Sequence, residues 1–172
     1  MGVPTRSIVA LEQRHDRSKF ACGKPQLDDY IRKYALQNQT RGYGKTYVAV
    51  RDRSLIVDGF FTLAMSSVAF ENLPEGLRKH CPKYPMPAAL LGQLAVDRES
   101  QKQGLGENLL FEAIRRLVSA SEVVAARAIV VKAIDDDAER FYTGYEFQRF
   151  VNLPGELYLP MDTARAAVGG VA

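Results

Sequence analysis

The hexapeptide Gln101-Lys102-Gln103-Gly104-Leu105-Gly106 restricts the folds open to this chain, because it follows the apolar run 90–96 and opens an amphipathic segment. That order reads as a strand, a glycine loop and a helix start. Gly104 and Gly106 carry no Cβ to hold a ligand off the backbone, and the first amides of the following helix have no partner within it. Such amides, at the positive end of a helix, suit a pyrophosphate. Neither the P-loop ending Gly-Lys-Ser/Thr nor the full GxGxxG dinucleotide pattern is present, so neither ATP nor NAD is indicated.

The rest of the chain supplies a sheet and helices around that loop. Residues 7–11 suit an edge strand. Pro25 sits where a first helical turn tolerates it, and Leu27, Tyr30, Ile31, Tyr34 and Ala35 recur at helical spacing, with Asp28, Asp29, Arg32 and Lys33 on the opposite face. This helix ends before the turn Arg41-Gly42-Tyr43-Gly44. Strands 46–50 and 56–65 form a hairpin about the polar turn 51–54. Pro74, Pro82, Pro85 and Pro87 make 71–87 a long loop. After strand 90–96 and the glycine loop, Leu105, Leu109, Leu110, Ala113, Ile114, Leu117 and Val118 form one helical stripe. A buried strand at 128–133 follows, and then Asp135-Asp136-Asp137 cap a short helix carrying Ala138, Phe141, Tyr142 and Tyr145. Strands 147–151 and 157–159 complete the pattern, and 164–172 reads as a frayed tail. Strands alternating with helices in this order give an α/β fold, a mixed sheet flanked by helices, in a single domain over 1–163.

Composition narrows the functional classes. The 172 residues are 47% hydrophobic and 25% charged, ordinary for one globular domain. No apolar stretch approaches the roughly 20 residues of a membrane span, and Glu12, Arg14, Asp16, Arg17 and Lys19 interrupt the N-terminus, which reads as no signal peptide and a cytoplasmic protein. Cys22 and Cys81 are too few for a disulfide framework. With only His15 and His80 beside them, neither a metal site nor a Cys–His nucleophile pair is expected. From residue 30 to 53 six basic side chains, Arg32, Lys33, Arg41, Lys45, Arg51 and Arg53, face a single acid, Asp52. This is either a polyanion footprint or a solvated helix face and loop; charge alone leaves both open.

The glycine loop resembles the acetyl-CoA loop of the GNAT N-acetyltransferase superfamily, Gln/Arg-x-x-Gly-x-Gly/Ala, at Gln101, Gly104 and Gly106. The later superfamily signature is matched by Ala138-Glu139-Arg140-Phe141-Tyr142 and then Phe147. A closer likeness, over nearly the whole chain, is to the toxin branch, the acetyltransferases of type II toxin–antitoxin pairs that acetylate aminoacyl-tRNA. It is carried by Phe20-Ala21-Cys22-Gly23-Lys24-Pro25-Gln26-Leu27-Asp28-Asp29-Tyr30, Asn38-Gln39-Thr40, Gly59-Phe60-Phe61-Thr62-Leu63-Ala64 and Leu91-Gly92-Gln93-Leu94-Ala95-Val96-Asp97. Three positions depart from the pattern. Glu146 stands where glycine is usual, Asp135 where many relatives have asparagine, and Glu107 where a small residue is common.

The resemblance implies a GNAT fold with a sheet of about six or seven strands and about four helices. It implies acetyl-CoA as co-substrate and no metal. Its pyrophosphate would rest on the amides of Lys102, Gln103, Gly104, Leu105 and Gly106 behind Gln101, with the pantetheine arm along Leu94, Ala95 and Val96 and contacts to Asp135 and Phe141. Tyr142 takes the position of the general acid for the departing thiolate. A backbone amide near Val96 would polarise the thioester carbonyl. Arg32, Lys33, Arg41 and Lys45 become candidates for tRNA phosphates. The partners implied are aminoacyl-tRNA, a small DNA-binding antitoxin, operator DNA through the antitoxin complex, and a second copy in a homodimer, with no membrane. Two other readings stay open: the same chemistry on a small amine or a protein N-terminus, and a non-catalytic module that retains acetyl-CoA.

Overall fold

The polar turn after residue 50 does what its composition implies. Arg53 takes a left-handed φ of 62°, and β2 (Lys45–Arg51) folds back antiparallel on β3 (Val57–Val68), in register from Lys45↔Leu63 to Val50↔Val57, with an irregularity between Ala49 and Val50. In the computed structural model, which describes residues 2–169, β1 (Arg6–Ala10) pairs antiparallel with β2 from Arg6↔Arg51 to Ala10↔Tyr47. The sheet continues through β4 (Met86–Val96), β5 (Ala128–Lys132), β6 (Gln148–Arg149) and β7 (Glu156–Pro160) to seven strands in the order β1-β2-β3-β4-β5-β7-β6. The β4–β5 pair is parallel, while β5–β7 and β6–β7 are antiparallel, so the sheet is mixed. The helices are α1 (Pro25–Asp29), which runs through a π-helical stretch (Tyr30–Tyr34) into α2 (Ala35–Thr40), then α3 (Glu75–Arg78), α4 (Leu105–Ala120), α5 (Asp136–Thr143) and α6 (Met161–Gly169). The expected α/β class holds.

The chain divides into two compact units, Met1–Ala64 with Gly92–Ala113 and Met65–Leu91 with Ile114–Ala172. In the first, Leu11, Phe20, Ile31, Ala35, Val48, Val57, Phe60 and Ala95 form one apolar cluster. Phe60 is fully buried, with the Phe20 ring edge-on at 5.5 Å and the Tyr30 ring stacked at 6.1 Å. Gly59 is required by packing: a Cβ there would come within 2.8 Å of Leu109 Cδ1 and 3.2 Å of the Ala95 carbonyl.

A charged cluster stands beside this core. The Asp58 carboxylate, 2% exposed, accepts from Arg6 Nε at 2.8 Å and from Arg51 at 2.7 and 3.2 Å. Burial by itself raises the Asp58 pKa, but hydrogen bonds and charge from Arg51 and Arg6 outweigh it and hold the carboxyl below its ordinary range.

In the second unit Val68, Leu73, Met86, Ala88, Ala128, Val130, Phe150 and Tyr158 pack together. The segment expected to be a proline-rich loop holds a 3-10 turn (Phe70–Asn72) and α3, and β4 begins at Met86, so Pro87 is its second residue. The chain from Ala164 is not frayed through 169: α6 extends to Gly169 and Ala164 is fully buried. Residues 170–172 of that expected tail lie outside the described residues.

The first helix departs most from the sequence reading. Regular α periodicity placed Tyr34 in the buried stripe and Asp28 on the outer face, yet Tyr34 is 53% exposed and Asp28 is buried at 7%. The π-helical stretch widens the turn and leaves Tyr34 outside the buried face, while Ile31 and Ala35 keep the buried places their spacing assigns them. Asp28 turns inward because its Oδ1 accepts the Cys22 amide at 2.7 Å.

Two predictions follow from these packings. Because the Asp58 pKa is depressed on folding, its contribution is present above the unfolded carboxyl pKa of about 4 and lost as pH falls through the lower folded value. Urea midpoints should therefore hold from neutral pH to about 5 and drop below about 4. Asp58→Asn should cost about 3 kcal/mol or more at pH 7 and flatten that acid step. Glu146, exposed and left-handed at φ 73°, already adopts the conformation of the glycine usual there. Glu146→Gly should leave stability unchanged or raise it by up to about 1 kcal/mol in urea unfolding, since relief of left-handed strain offsets the extra freedom of glycine.

Candidate functional site

The glycine loop is built by alternating backbone handedness. Lys102 and Gly104 have φ of 61° and 81°, with Gln103 between them outside that region. Such alternation turns successive amides toward one concavity, a nest for an anion. Lys102 is strained there, as a non-glycine residue held left-handed by its surroundings. Space above Gly104 is open, nothing lying within 4 Å of where a Cβ would stand. Leu105 is buried at 5% and Gly106 lies in the first turn of α4, so at Leu105 only the amide is available to a ligand.

Side chains bolt this loop in place from three sides. Gln101 donates through Nε2 to the Cys22 carbonyl at 3.0 Å and the Val96 carbonyl at 2.9 Å. Its side chain is therefore a strap that ties the loop to the end of β4. Asp97 accepts the Ala21 amide at 3.0 Å, the Arg98 amide donates to the Ala21 carbonyl at 2.9 Å, and the Asp97 amide donates to the Asp58 carbonyl at 2.8 Å. Residues 20–23, part of the N-terminal motif that marks the toxin branch, are thus structural supports of the loop. Gly23, at φ 98°, lies under the Arg98 guanidinium.

The third support was missed in the sequence. Arg6 Nη2 donates at 3.1 Å both to Ser100 Oγ and to Gln103 Oε1, while its Nε is on Asp58. Gln103 Nε2 also donates to the Glu99 carbonyl, so both polar ends of that side chain are engaged within the protein and its backbone is left to serve a ligand. Along β4, Leu94 and Val96 are half-buried and Ala95 is buried.

Asp135, Phe141 and Tyr142 belong to the second unit. Asp135 is the N-cap of α5, its Oδ1 accepting the Ala138 amide at 2.9 Å. The Tyr142 ring is held edge-on by Phe141 at 5.3 Å and Phe147 at 5.5 Å, and Phe141 itself is half-buried against Tyr145. Its hydroxyl takes no hydrogen-bond partner among the described residues, and the residue as a whole is buried. Burial of the ring pushes the phenol pKa far up, so the group keeps its proton. Cys22 is inert: burial, and then Asp28 beside it, push the thiol up to about 11.

Of the four basic candidates, two are compensated. Lys33 and Arg32 both lie against Asp29, at 3.1 and 3.8 Å. Arg41, beside the Gln37 amide, and Lys45, at the start of β2, are exposed and form no ion pair among the described residues. Among those residues, no group of three or more His, Cys, Asp or Glu could hold a metal ion, and no helix is long and apolar enough to cross a membrane.

No family model matches the sequence. The chain is 42% identical over 154 residues to the tRNA-acetylating toxin of Mycobacterium tuberculosis (strain ATCC 25618 / H37Rv), a match that covers 90% of this chain and 91% of that protein. The fold superposes with a TM-score of 0.88 on AtaT complexed with acetyl-methionyl-tRNAfMet, at 25% identity over 95% of this chain and 99% of the other. It superposes at 0.85 on AtaTR bound with AcCoA, at 26% identity over 95% and 98%. A seven-stranded mixed sheet, an anion nest at the head of α4 and a relative of this identity along nine-tenths of the chain lead to one conclusion: the chain belongs to the tRNA-acetylating toxins of the GNAT acetyltransferase superfamily.

Proposed function

We propose that this chain is an acetyl-CoA-dependent N-acetyltransferase that acetylates the α-amino group of aminoacyl-tRNA and so stops translation. The observation that carries the reading is its 42% identity to a tRNA-acetylating toxin over 154 residues. The loop geometry agrees, since it is set for a pyrophosphate by bonds within the protein alone. In this reading residues 1–163 act as one acetyltransferase domain.

Each residue has a distinct task. The amides of Lys102 to Gly106 hold the pyrophosphate, with Gln101 and Gln103 fixing the loop beneath them. Leu94, Ala95 and Val96 line the pantetheine arm as a neighbouring strand would, and Phe141 and Asp135 flank it. The bound co-substrate supplies an acetyl thioester. An amide near Val96 polarises its carbonyl, the acceptor nitrogen attacks the carbonyl carbon, and the carbon–sulfur bond breaks. Tyr142, protonated at neutral pH, gives its proton to the sulfur as the bond breaks, and the proton lost by the acylated nitrogen passes to solvent, from which the phenol is restored. The acceptor needs no strong base from the protein. A free α-amino group titrates near 7.7 to 8.0, and the adjacent ester lowers that further.

Arg41 and Lys45 carry most of the phosphate contact, and Arg32 and Lys33 join them from the shared Asp29. Partnership with a small DNA-binding antitoxin, operator DNA reached through it, homodimerisation and a cytoplasmic location follow from the toxin family. A small amine or a protein N-terminus as acceptor is the competing reading.

Transfer of labelled acetyl from acetyl-CoA to total charged tRNA, with deacylated tRNA as control, tests the proposal. Label on charged tRNA alone supports it; label only on a small amine or a protein N-terminus refutes it. Tyr142→Phe should lower turnover about 100-fold or more while acetyl-CoA affinity stays within two-fold, and unchanged turnover would remove Tyr142 from the mechanism. Reversing the charges of Arg41 and Lys45 should weaken tRNA binding and reduce the dependence of log affinity on log salt by about one unit per lost phosphate contact. Equal affinity at low salt would exclude the patch.

A further inference from the structure

Beside the two uncompensated cations stands an aromatic ring that the reading above does not use. Tyr43 is 74% exposed, in a protein that buries Phe20, Phe60 and Phe61 almost completely. Its backbone is nevertheless fixed. The Tyr43 amide donates to the Asn38 carbonyl at 2.9 Å, the Gly42 amide to Gln39 at 3.2 Å and the Arg41 amide to Gln37 at 3.0 Å, so the turn is bonded to the end of α2. Gly42 is left-handed at φ 82° with open space around it. On the other side Gly44 is pressed onto β3, where a Cβ would meet Thr62 Cγ2 at 2.7 Å. A rigid turn therefore holds a ring out in water between Arg41 and Lys45. A second exposed ring, Tyr34, is presented by the π-helical stretch.

We propose that Tyr43, flanked by Arg41 and Lys45, is a stacking platform for an unpaired nucleotide at the 3′ end of the tRNA substrate. The inference rests on the reading of charged tRNA as acceptor. Cations that follow a phosphate backbone, combined with an exposed ring, are the means by which proteins hold single-stranded nucleic acid. Paired bases in the acceptor stem offer no free face to a ring, whereas single-stranded ends do. The unpaired nucleotides nearest the reacting amine are the 3′-terminal ones, since the amino acid is esterified to the last of them. A fixed backbone lowers the ordering cost of the contact, because only the side chain has to be immobilised.

The experiment places a fluorescent base, 2-aminopurine or pyrrolocytosine, in turn at each of the four unpaired 3′ positions of a charged tRNA. At one position or more, fluorescence should be quenched by the wild type and by Tyr43→Phe and Tyr43→Trp, but not by Tyr43→Ala. Tyr43→Ala should weaken tRNA binding about five-fold or more while its salt slope stays that of the wild type, because a ring carries no charge. Its thermal unfolding should be unchanged, the ring being in solvent. Binding and quenching unaltered by Tyr43→Ala would overturn the platform, even if charge reversal at Arg41 and Lys45 still weakens binding. Loss of affinity equally in the Phe and Trp variants would also overturn it. A wild type that fails to acetylate charged tRNA would instead overturn the underlying reading.

Discussion

The carboxylate of Asp58 is the fixed point of the first unit. Buried beside the core, it is held by two guanidiniums from different strands, and one of these, Arg6, extends past it to the turn that carries the glycine loop. Taking charges out of water is costly, and the cost is recovered only where geometry is good and the remaining protons are satisfied. Here the spare nitrogen of Arg6 is satisfied by Ser100 and Gln103, so the requirement of the ion pair becomes a constraint on the loop. Lys102 can be kept left-handed because the residues on either side of it are tied down.

The second unit meets a similar need by apolar means. Tyr142 is fixed by edge-on contacts with two phenylalanine rings and by the turn in which the Phe147 amide returns to the Tyr142 carbonyl. Aromatic contacts of this kind orient a ring without consuming its hydroxyl. Were Tyr142 positioned through its oxygen, the donor role proposed for it would be partly occupied by its support.

The parts of the molecule that were legible in the sequence are those specified by local rules. The glycine loop announces itself through backbone conformations that few residues adopt, the hairpin through its turn, and α4 through a 3.6-residue stripe. Arg6 gave no signal, because its partners lie 52, 94 and 97 residues away and no spacing rule connects them. Gln101 was found as a motif position, but its task as a strap emerges only once the ends of its two hydrogen bonds are located. The basic patch was visible as composition, while its division into two compensated and two free cations depended on where Asp29 projects. Tyr34 was misplaced because a uniform helical period was assumed across the π-helical stretch, and Asp28 because its bond to the Cys22 amide is not a matter of spacing.

That π-helical stretch has an evolutionary corollary. Such a widened turn differs from a regular helix by a single residue. Removing one codon between Tyr30 and Tyr34 would restore ordinary winding and leave the flanking turns on their faces, because the widened turn is where the extra residue is taken up. Arg41, bonded to the end of α2, and Lys45, paired with Leu63 across β2 and β3, would keep their places. A lineage carrying this scaffold can thus gain or lose one residue at this turn without disturbing the sheet, whereas the same change inside α4 would shift a whole buried face.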